Sequence, residues 1–325
     1  MYALDSSRRR KKNSAGKLIV VLILLLVVIA AVLLFTGRDK PGNKKGVVDL
    51  DKLEVEEVSS EDSAASGDMQ KLSLMESDIY KGNLILVNNK VKYTFPGDEA
   101  FVSVFDYKTS DYFVRDTNVL LDVQVIAALN SFAGDFLAET GLKTLNVVSG
   151  VRTYEDQQNL YEKSLSQHGA EHTARFTAEP GGSEHHTGLA LDFALFYEET
   201  GASGEFDGTG EYAWLEENAW KYGIIKRYKG YKEELTGIAE EAWHFRYVGI
   251  PHAYLMDKYD LCLEEYLMLF TQRVYTYDGN HLKAECLGKT YEIYYCEGTE
   301  IHVPTGSTYT VSGNGTDGFI VTVEV

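Results

Sequence analysis

Cysteine is scarce in this chain, which has only Cys262, Cys286 and Cys296 among its 325 residues. No Cys-x-x-Cys pair is present, so the sequence does not favour a zinc site built from thiolates. Three is an odd number, so at least one cysteine has no partner within the chain. Cys286 and Cys296 flank a short β-like stretch that a hairpin could close, and the sequence therefore permits one disulfide between them. A metal site in this chain would therefore have to use other side chains.

Basic residues are also few. The chain has 31 Lys and Arg against 49 Asp and Glu, a formal net charge of −18. Six of the basic residues precede the first long apolar run, so the remainder is more acidic still; they are Arg8, Arg9, Arg10, Lys11, Lys12 and Lys17. This balance argues against nucleic acid or anionic lipid as a partner.

The apolar run that follows this basic cluster is long enough to cross a membrane. All 18 residues from Leu18 to Phe35 are apolar, and their helical length of roughly 27 Å nearly matches the hydrocarbon thickness of a bilayer. The sequence predicts a single transmembrane helix over 18–36, with the basic tail 1–17 in the cytoplasm and the remainder extracytoplasmic. A cleaved signal peptide is the alternative, but Thr36–Asp39 is a poor cleavage site.

Composition divides the rest of the chain into three regions. Residues 37–75 are rich in Asp, Glu, Ser, Gly and Lys, which predicts an acidic, solvated linker. Residues 76–262 mix helical and strand patterns and predict an α+β domain. Residues 263–325 change to short alternating strands, which predict a small all-β appendage of open role. No internal repeat is evident.

Apolar periodicity and turn residues predict the main elements. Helices are expected at Asp122–Thr140, after a Thr153 cap, and at Tyr212–Tyr222 before Gly223. A short buried strand is expected at Leu145–Val148, and strands of the β appendage at Tyr291–Tyr295 and Phe319–Val325.

The most informative stretch runs from Ser183 to Asp192, because it places an acid inside the apolar run Leu189–Phe196. A buried carboxylate without a partner is costly, so Asp192 needs a cation. A divalent metal shared with His185 would supply it, and Gly188 gives the backbone the freedom to bring the two together. The alternative is an Asp in a salt bridge beside solvent-facing histidines.

A second stretch places His244 among aromatic residues, with Glu241 three positions before it. Imidazole and carboxylate suit a metal ligand and a general base. Two His and one carboxylate would leave a fourth tetrahedral position free for water, which distinguishes a catalytic zinc site from a structural one. The alternative is a hydrogen-bonded core histidine beside a surface glutamate.

A third stretch, Ser149–Thr153, is predicted to form a turn from a strand to a helix. Arg152 lies in this turn, and Gln157 follows in the helix. Such an Arg can bind a carboxylate or an oxyanion. The alternative is a solvated Arg that pairs with Glu155 or Asp156.

Together the three stretches resemble the VanY-type D-alanyl-D-alanine carboxypeptidases, zinc peptidases of the superfamily that includes lysostaphin and the hedgehog domain. The shared pattern is Ser-x-His-x-x-Gly-x-Ala-x-Asp, then Glu-x-x-His, with Ser-Gly-x-Arg and Gln-x-x-Leu-Tyr upstream. The resemblance implies a small antiparallel sheet with flanking helices around a zinc site, and it covers about 79–257. It also implies a role for seven side chains: zinc ligands His185, Asp192 and His244, general base Glu241, catalytic and substrate-binding Arg152, and substrate-binding Gln157 and Ser183.

The implied reaction is removal of the C-terminal D-alanine from peptidoglycan stem pentapeptides or their lipid-linked precursor. Alternatives are an L,D-carboxypeptidase that acts on tetrapeptides, cleavage of cross-links, and a non-catalytic peptidoglycan-binding module. The chain departs from the family at Glu240 and Ala242, where Tyr and Pro are usual. Glu240 adds a like charge that is expected to raise the pKa of Glu241. His186 falls outside the pattern and is expected to point away from the metal.

Overall fold

The structure, a computed structural model, describes residues 46–59, 61–65 and 68–325. The predicted basic tail, the predicted transmembrane helix and the start of the predicted linker lie outside this range. Among the described residues, no helix combines the length and apolar character needed to span a bilayer. The unit that can be described runs from Gly46 to Val325.

Strands and helices alternate irregularly along this unit, as expected for an α+β fold. Its strands are β1 (Glu57–Val58), β2 (Met69–Ser73), β3 (Phe101–Ser103), β4 (Phe113–Val114), β5 (Leu120–Asp122), β6 (Leu145–Ser149), β7 (Ala190–Tyr197), β8 (Ala202–Gly204), β9 (Ile224–Tyr228), β10 (Glu241–Tyr247), β11 (His281–Cys286), β12 (Lys289–Glu297), β13 (Glu300–Pro304), β14 (Thr308–Gly313) and β15 (Gly318–Glu324). Its α-helices are α1 (Val104–Tyr107), α2 (Val123–Thr140), α3 (Tyr154–Phe176), α4 (Ala213–Asn218), α5 (Glu233–Thr236), α6 (Ile250–Tyr259) and α7 (Leu263–Arg273).

A central sheet with the order β4-β6-β7-β10-β9 organises the first part of the unit, and β8 pairs with β7 beside this path. Strand β4 is parallel to β6, and the other neighbours are antiparallel. The sheet is therefore largely antiparallel, and the mixed α+β class predicted from the sequence is confirmed.

Helix α2 covers this sheet and matches its predicted bounds. Asp122 caps it by accepting a hydrogen bond from the amide of Gln124, and Gly141 ends it in the left-handed conformation. The apolar stripe of α2 is buried against β6, β7 and β10 in one core cluster; among its members are Val125, Ile126, Leu129, Phe132, Phe136, Val147, Phe193 and Phe245.

The third predicted helix is not continuous. A 3-10 turn at Gly210–Tyr212, the short α4 and a second 3-10 turn at Ala219–Tyr222 replace it. Asn218 lies at the junction, and its side-chain amide donates to the Trp214 carbonyl at 2.8 Å. Asn side chains that bond to nearby backbone compete with the helical pattern in this way.

The remaining strands form the sheet β1-β11-β12-β15-β14 and two separate pairs, β2-β13 and β3-β5. Strands β1 and β2 come from the segment predicted as a solvated linker, so that prediction is wrong for the described part of 37–75. Its few apolar residues are well placed: Leu50 and Ala65 are buried, and Leu72 pairs with Ile301. Average composition does not reveal such placement.

The predicted β appendage is joined to the rest by helix α7. Its residues Glu264 and Glu265 form buried ion pairs with Arg227 and Lys232. The three cysteines are buried free thiols. The β11–β12 hairpin pairs Cys286 with Lys289, so its strands do not bring Cys286 and Cys296 together.

Candidate metal centre and active site

Two neighbouring strands bring together the first two side chains of the candidate metal site. β7 and β10 are antiparallel, and their register places His244 opposite Asp192. Residues paired in this way on one face of a sheet have their side chains in contact. The Nδ1 atom of His244 lies 3.0 Å from a carboxylate oxygen of Asp192. Sheet pairing therefore holds together two candidate ligands that are 52 residues apart in the chain.

A 3-10 turn at Glu184–Thr187 supplies the third side chain, His185. Gly188 ends this turn with a φ of 69°, and a Cβ at this position would lie 2.4 Å from the Phe101 ring. Both facts require glycine here. The turn places Nε2 of His185 3.2 Å from the other carboxylate oxygen of Asp192. The prediction that Gly188 allows this approach is confirmed.

The hydrogen bonds of His185 show that these residues fit a bound cation. Its Nδ1 lies 2.7 Å from the carbonyl oxygen of Gly150, and since a carbonyl only accepts, Nδ1 carries the proton. Nε2 then presents a lone pair to Asp192, and this buried atom has no hydrogen-bond partner. One donor atom from each of His185, Asp192 and His244 lies within 4.8 Å of the others. Two imidazoles and a carboxylate at this spacing are a suitable donor set for zinc.

Glu241 reaches the same site because β10 is irregular. Residues three apart in a regular strand point to opposite faces, but the register of β10 against β9 shifts between Glu241 and Phe245. Such a bulge re-aims a side chain. The Glu241 carboxylate lies 3.9 Å from Nδ1 of His244, and both residues line one cavity.

Burial raises the pKa of Glu241 to about 7; the His244 and Arg152 charges oppose this rise, and the Asp192 carboxylate adds to it. The expectation that Glu240 would be the cause is not met. Glu240 is exposed and pairs with Lys226 at 2.9 Å. The direction of the shift is as predicted, but its cause is desolvation of Glu241 itself.

The two imidazoles are affected in opposite directions. Burial lowers the pKa of His185 to about 4, although Asp192 opposes the shift. Burial also acts to lower the pKa of His244, but hydrogen bonds to the Asp192 and Glu184 carboxylates outweigh it and raise the pKa to about 9. The difference follows from the number of carboxylates: His244 has hydrogen bonds to Asp192 and Glu184 and also lies near Glu241, whereas His185 has only Asp192.

Arg152 lies beside the candidate metal ligands rather than in solvent. Its Nη1 donates to the Gln157 side-chain oxygen at 2.7 Å and its Nη2 to the Ser149 hydroxyl at 3.1 Å. Nη2 is also 3.7 Å from Asp192. The alternative partner Asp156 is instead engaged with Thr153 at the start of α3. A guanidinium held in this way can present its remaining N–H groups to a substrate oxygen.

Gln157 is buried, and both ends of its amide have partners within the protein. Its oxygen accepts from Arg152, and its nitrogen donates to the Ala178 carbonyl at 2.6 Å. Ser183 is also buried and lies at the same cavity. The cavity measures about 220 Å³, and besides the candidate residues it has an apolar side formed by Leu160, Phe176, Ile238, Tyr228 and Trp243. All seven residues singled out from the sequence line this one space.

His186 points away from this space, as expected, but it is not a solvent-facing loop residue. It is buried, its Nδ1 bonds the Arg152 carbonyl at 2.7 Å, and its Nε2 accepts from the amide of Gly181. Its role is to hold the backbone that carries Arg152.

The sequence reasoning missed the buried Glu184 and the arginines that surround it. Burial alone would raise the pKa of Glu184, but Arg227 and Arg246 hold it well below the usual value. A signal was present, because both arginines lie within the apolar strands β9 and β10 and Glu184 lies between Ser183 and His185. Charges in such positions are rarely buried unless they are paired.

A donor set that leaves one tetrahedral position open, next to a carboxylate that titrates near neutrality, is typical of a metal-dependent hydrolase. Comparison with known proteins agrees. A family model described as VanY, D-alanyl-D-alanine carboxypeptidase, matches residues 118–250. A D-alanyl-D-alanine carboxypeptidase of Enterococcus faecium is 34% identical over 270 residues, which are 81% of this chain and 82% of that protein.

Two further relatives have related names. The bifunctional D-Ala-D-Ala dipeptidase and D-Ala-D-Ala carboxypeptidase VanXYC of Enterococcus gallinarum is 40% identical over 138 residues, 42% of this chain and 73% of that protein. The crystal structure of the vancomycin resistance D,D-dipeptidase VanXYg, in complex with a D-Ala-D-Ala phosphinate analog, matches with a TM-score of 0.70 and 33% identity, over 80% of this chain and all of that one. The chain belongs to the VanY family of D-alanyl-D-alanine carboxypeptidases and is a peptidase.

Proposed function

We propose that this protein is a zinc-dependent carboxypeptidase that removes the C-terminal D-alanine from peptidoglycan stem pentapeptides. The observation that carries the proposal is the approach of His185 Nε2 to Asp192, two acceptors 3.2 Å apart that a shared cation would reconcile. Membership of the VanY family supports the reaction class, and the relatives' names supply the D-Ala-D-Ala substrate.

His185, Asp192 and His244 would hold the zinc ion through Nε2, a carboxylate oxygen and Nδ1. These atoms already face one another across a few ångströms. Zinc at such a site acidifies the attacking water and polarises the carbonyl that is attacked.

Glu241 is the general base in this proposal. It lies at the metal ligands, and a carboxylate with a pKa of about 7 is well matched to proton transfer at neutral pH. Its carboxylate takes a proton from the attacking water. It then gives that proton to the nitrogen of the departing D-alanine, so that the amide bond breaks as the new carboxyl group forms.

Arg152 donates to the oxygen on which negative charge develops, because its guanidinium lies beside Asp192 and a fixed cation there stabilises the transition state. Gln157 has both amide ends occupied by protein partners, so we assign it the orientation of Arg152. Ser183 lines the same cavity, and we assign its hydroxyl to binding of the peptide next to the scissile bond.

We further propose that residues 18–36 anchor the enzyme in the cell membrane, with residues 1–17 in the cytoplasm and the active site outside. The basic cluster before the apolar run supports this orientation. An active site just outside the membrane would have access to both wall peptides and lipid-linked precursors. The catalytic residues would then all belong to the predicted domain 76–262.

Mass spectrometry of a purified muropeptide pentapeptide, incubated with the enzyme, tests the proposal. The expected result is loss of one alanine that stops with a chelator and returns with zinc. Cleavage of tetrapeptide without cleavage of pentapeptide would make the enzyme an L,D-carboxypeptidase. Failure of the zinc-loaded protein to cleave either would favour a binding module.

A further inference from the structure

Glu184 has no part in the reaction just described, yet its carboxylate is almost completely buried, with 1% of the residue exposed. One oxygen lies 2.8 Å from Nε of Arg227 and 2.9 Å from Nη1 of Arg246. A buried carboxylate with two cations at one oxygen is fixed in position. Its second oxygen is therefore also held in a defined place.

The surrounding charges balance one another. Arg227 forms two further hydrogen bonds, of 2.9 and 2.8 Å, with the carboxylate of Glu264 in α7. Arg246 donates to the carbonyls of Asn83 and Ile85. Two guanidinium groups thus face two carboxylates, and the cluster has no net charge. The charge of Glu184 is therefore balanced without a proton from His244.

The second oxygen of Glu184 faces His244. It lies 3.4 Å from Nε2 of this imidazole, whereas Nδ1 on the other side of the ring faces Asp192 at 3.0 Å. A carboxylate without a proton only accepts, so it favours the imidazole form with the proton on Nε2. With that proton on Nε2, Nδ1 would offer its lone pair to a metal ion shared with Asp192.

We infer that Glu184 is a positioning residue of the metal site, which fixes the orientation and tautomer of His244 so that Nδ1 is free for a metal ion. This inference rests on the proposed zinc site. His185 has an equivalent support, since its Nδ1 donates to the Gly150 carbonyl. In both imidazoles, the ring nitrogen that faces away from the candidate metal position has a hydrogen-bond acceptor beside it, as metal-ligating histidines usually have. Arg227 and Glu264 connect this support to helix α7.

Zinc affinity, measured by competition with a chromophoric chelator, tests the inference with two matched variants. Glu184→Gln removes the charge that faces His244. Glu264→Gln removes a carboxylate from the same arginine cluster without a contact to the imidazole. Loss of such an outer partner typically weakens metal binding about 10- to 100-fold. We expect this loss for Glu184→Gln and a change of less than about threefold for Glu264→Gln, well below that range.

A purely structural role for Glu184 would leave both variants with wild-type zinc affinity, or weaken binding equally in both, and either result overturns the inference. Failure of the zinc site itself is distinguishable, because the wild-type protein would then bind no zinc. Both variants are also measured by urea unfolding, so that loss of folding is not mistaken for loss of affinity.

A second measurement needs no substitution. In zinc-loaded wild-type protein labelled with ¹⁵N-histidine, long-range proton–nitrogen correlation spectra identify which ring nitrogen carries the proton. We expect His244 to be protonated at Nε2, with slow exchange of that proton with solvent. Protonation at Nδ1, with Nε2 bound to zinc, would overturn the inference even if Glu184→Gln does not fold.

Discussion

Glu241 and His244 are three residues apart in one strand, yet both side chains reach the same cavity. The register shift of β10 between Glu241 and Phe245 makes this geometry, and it brings the carboxylate within 3.9 Å of His244 Nδ1. The Pro that is usual between these positions in the family is Ala242 here. A bulge in the strand is thus sufficient to bring the Glu241 carboxylate and the His244 imidazole together without that Pro.

Replacement of Glu241 by Gln should abolish turnover and keep zinc. General-base catalysis contributes about 10²- to 10⁴-fold, so we expect kcat to fall by at least 10²-fold, with one zinc ion still bound. Glu240→Gln is the matched control, because this neighbour is exposed and pairs with Lys226. Near-wild-type kcat in Glu241→Gln would show that another group is the base.

Adjacent histidines should differ in their effect on metal content. We expect chelation to remove both zinc and activity, and His185→Gln to prevent recovery of either after zinc is restored. His186→Gln should bind zinc normally, since its ring bonds the Arg152 carbonyl and faces away from Asp192. The His186→Gln substitution should instead lower the free energy of unfolding by about 1–3 kcal/mol, because buried hydrogen bonds are lost. Metal analysis after dialysis decides the comparison, and normal zinc content in His185→Gln would contradict the ligand assignment.

Arg152→Lys should weaken catalysis without affecting zinc binding. Lys keeps the charge but cannot bond Gln157 and still present a flat pair of N–H groups, and hydrogen bonds to charged groups contribute about 1.5–3 kcal/mol. We expect kcat/KM to fall about 10- to 100-fold. Arg175→Lys, at an exposed ion pair with Glu233, serves as the control. Equal kcat/KM in wild type and Arg152→Lys would exclude a role for this guanidinium.

Stability should decrease in mild acid because of His252. Burial lowers the pKa of this histidine from 6.5 to about 3, and its ring bonds the hydroxyls of Tyr266 and Thr322. Between pH 7.5 and 5.5 the unfolded chain binds a proton that the folded chain does not, so this residue should lower the free energy of unfolding by about 1.4 kcal/mol.

Urea unfolding at the two pH values measures this contribution. His252→Gln should show a pH dependence weaker than wild type by that amount. Tyr266→Phe removes one hydrogen bond but retains a buried histidine, and it should keep the wild-type pH dependence. An unchanged dependence in His252→Gln would mean that other groups cause the acid sensitivity.

Glu265→Gln should destabilise the fold strongly. Glu265 contacts the buried Lys232 amine at 2.8 Å and accepts from the amides of Cys262 and Val48. Loss of one partner of a buried ion pair costs about 3–5 kcal/mol. Glu233→Gln breaks the exposed pair with Arg175 and should cost less than about 1 kcal/mol. Similar unfolding midpoints for the two variants would show that α7 is only loosely joined to the central sheet.

The site was predictable from the sequence because its residues have strong local signals. An acid within the apolar strand β7, a glycine at 188 and the Glu-x-x-His spacing each have a chemical reason, and the structure brings all of these residues to one cavity. Helix α2 was equally clear, since Asp122 and Gly141 mark its ends. The roles assigned to these side chains stay predictions until the variants are measured.

The elements that were missed depend on distant partners. Nothing near Glu57 indicates that it will pair with Leu282, and a segment rich in acids and Ser has the composition of a linker. The charge cluster around Glu184 depends in the same way on Arg227, Arg246 and Glu264, which come from three separate elements. Local pattern predicts helix α2 and the candidate ligands, whereas long-range pairing completes the sheets and supports the site.

The pairing of β1 with β11 and of β2 with β13 also sets an order of events during synthesis. Strands that emerge first from the ribosome must wait for partners more than 200 residues later in the chain, and contacts of such high sequence separation form slowly. Strands β1 and β2 therefore stay without their sheet partners until β11 and β13 have been made. The described unit should acquire its complete structure only after β11 and β13 have been made, so a nascent chain that stalls before β11 is exposed to misfolding and proteolysis.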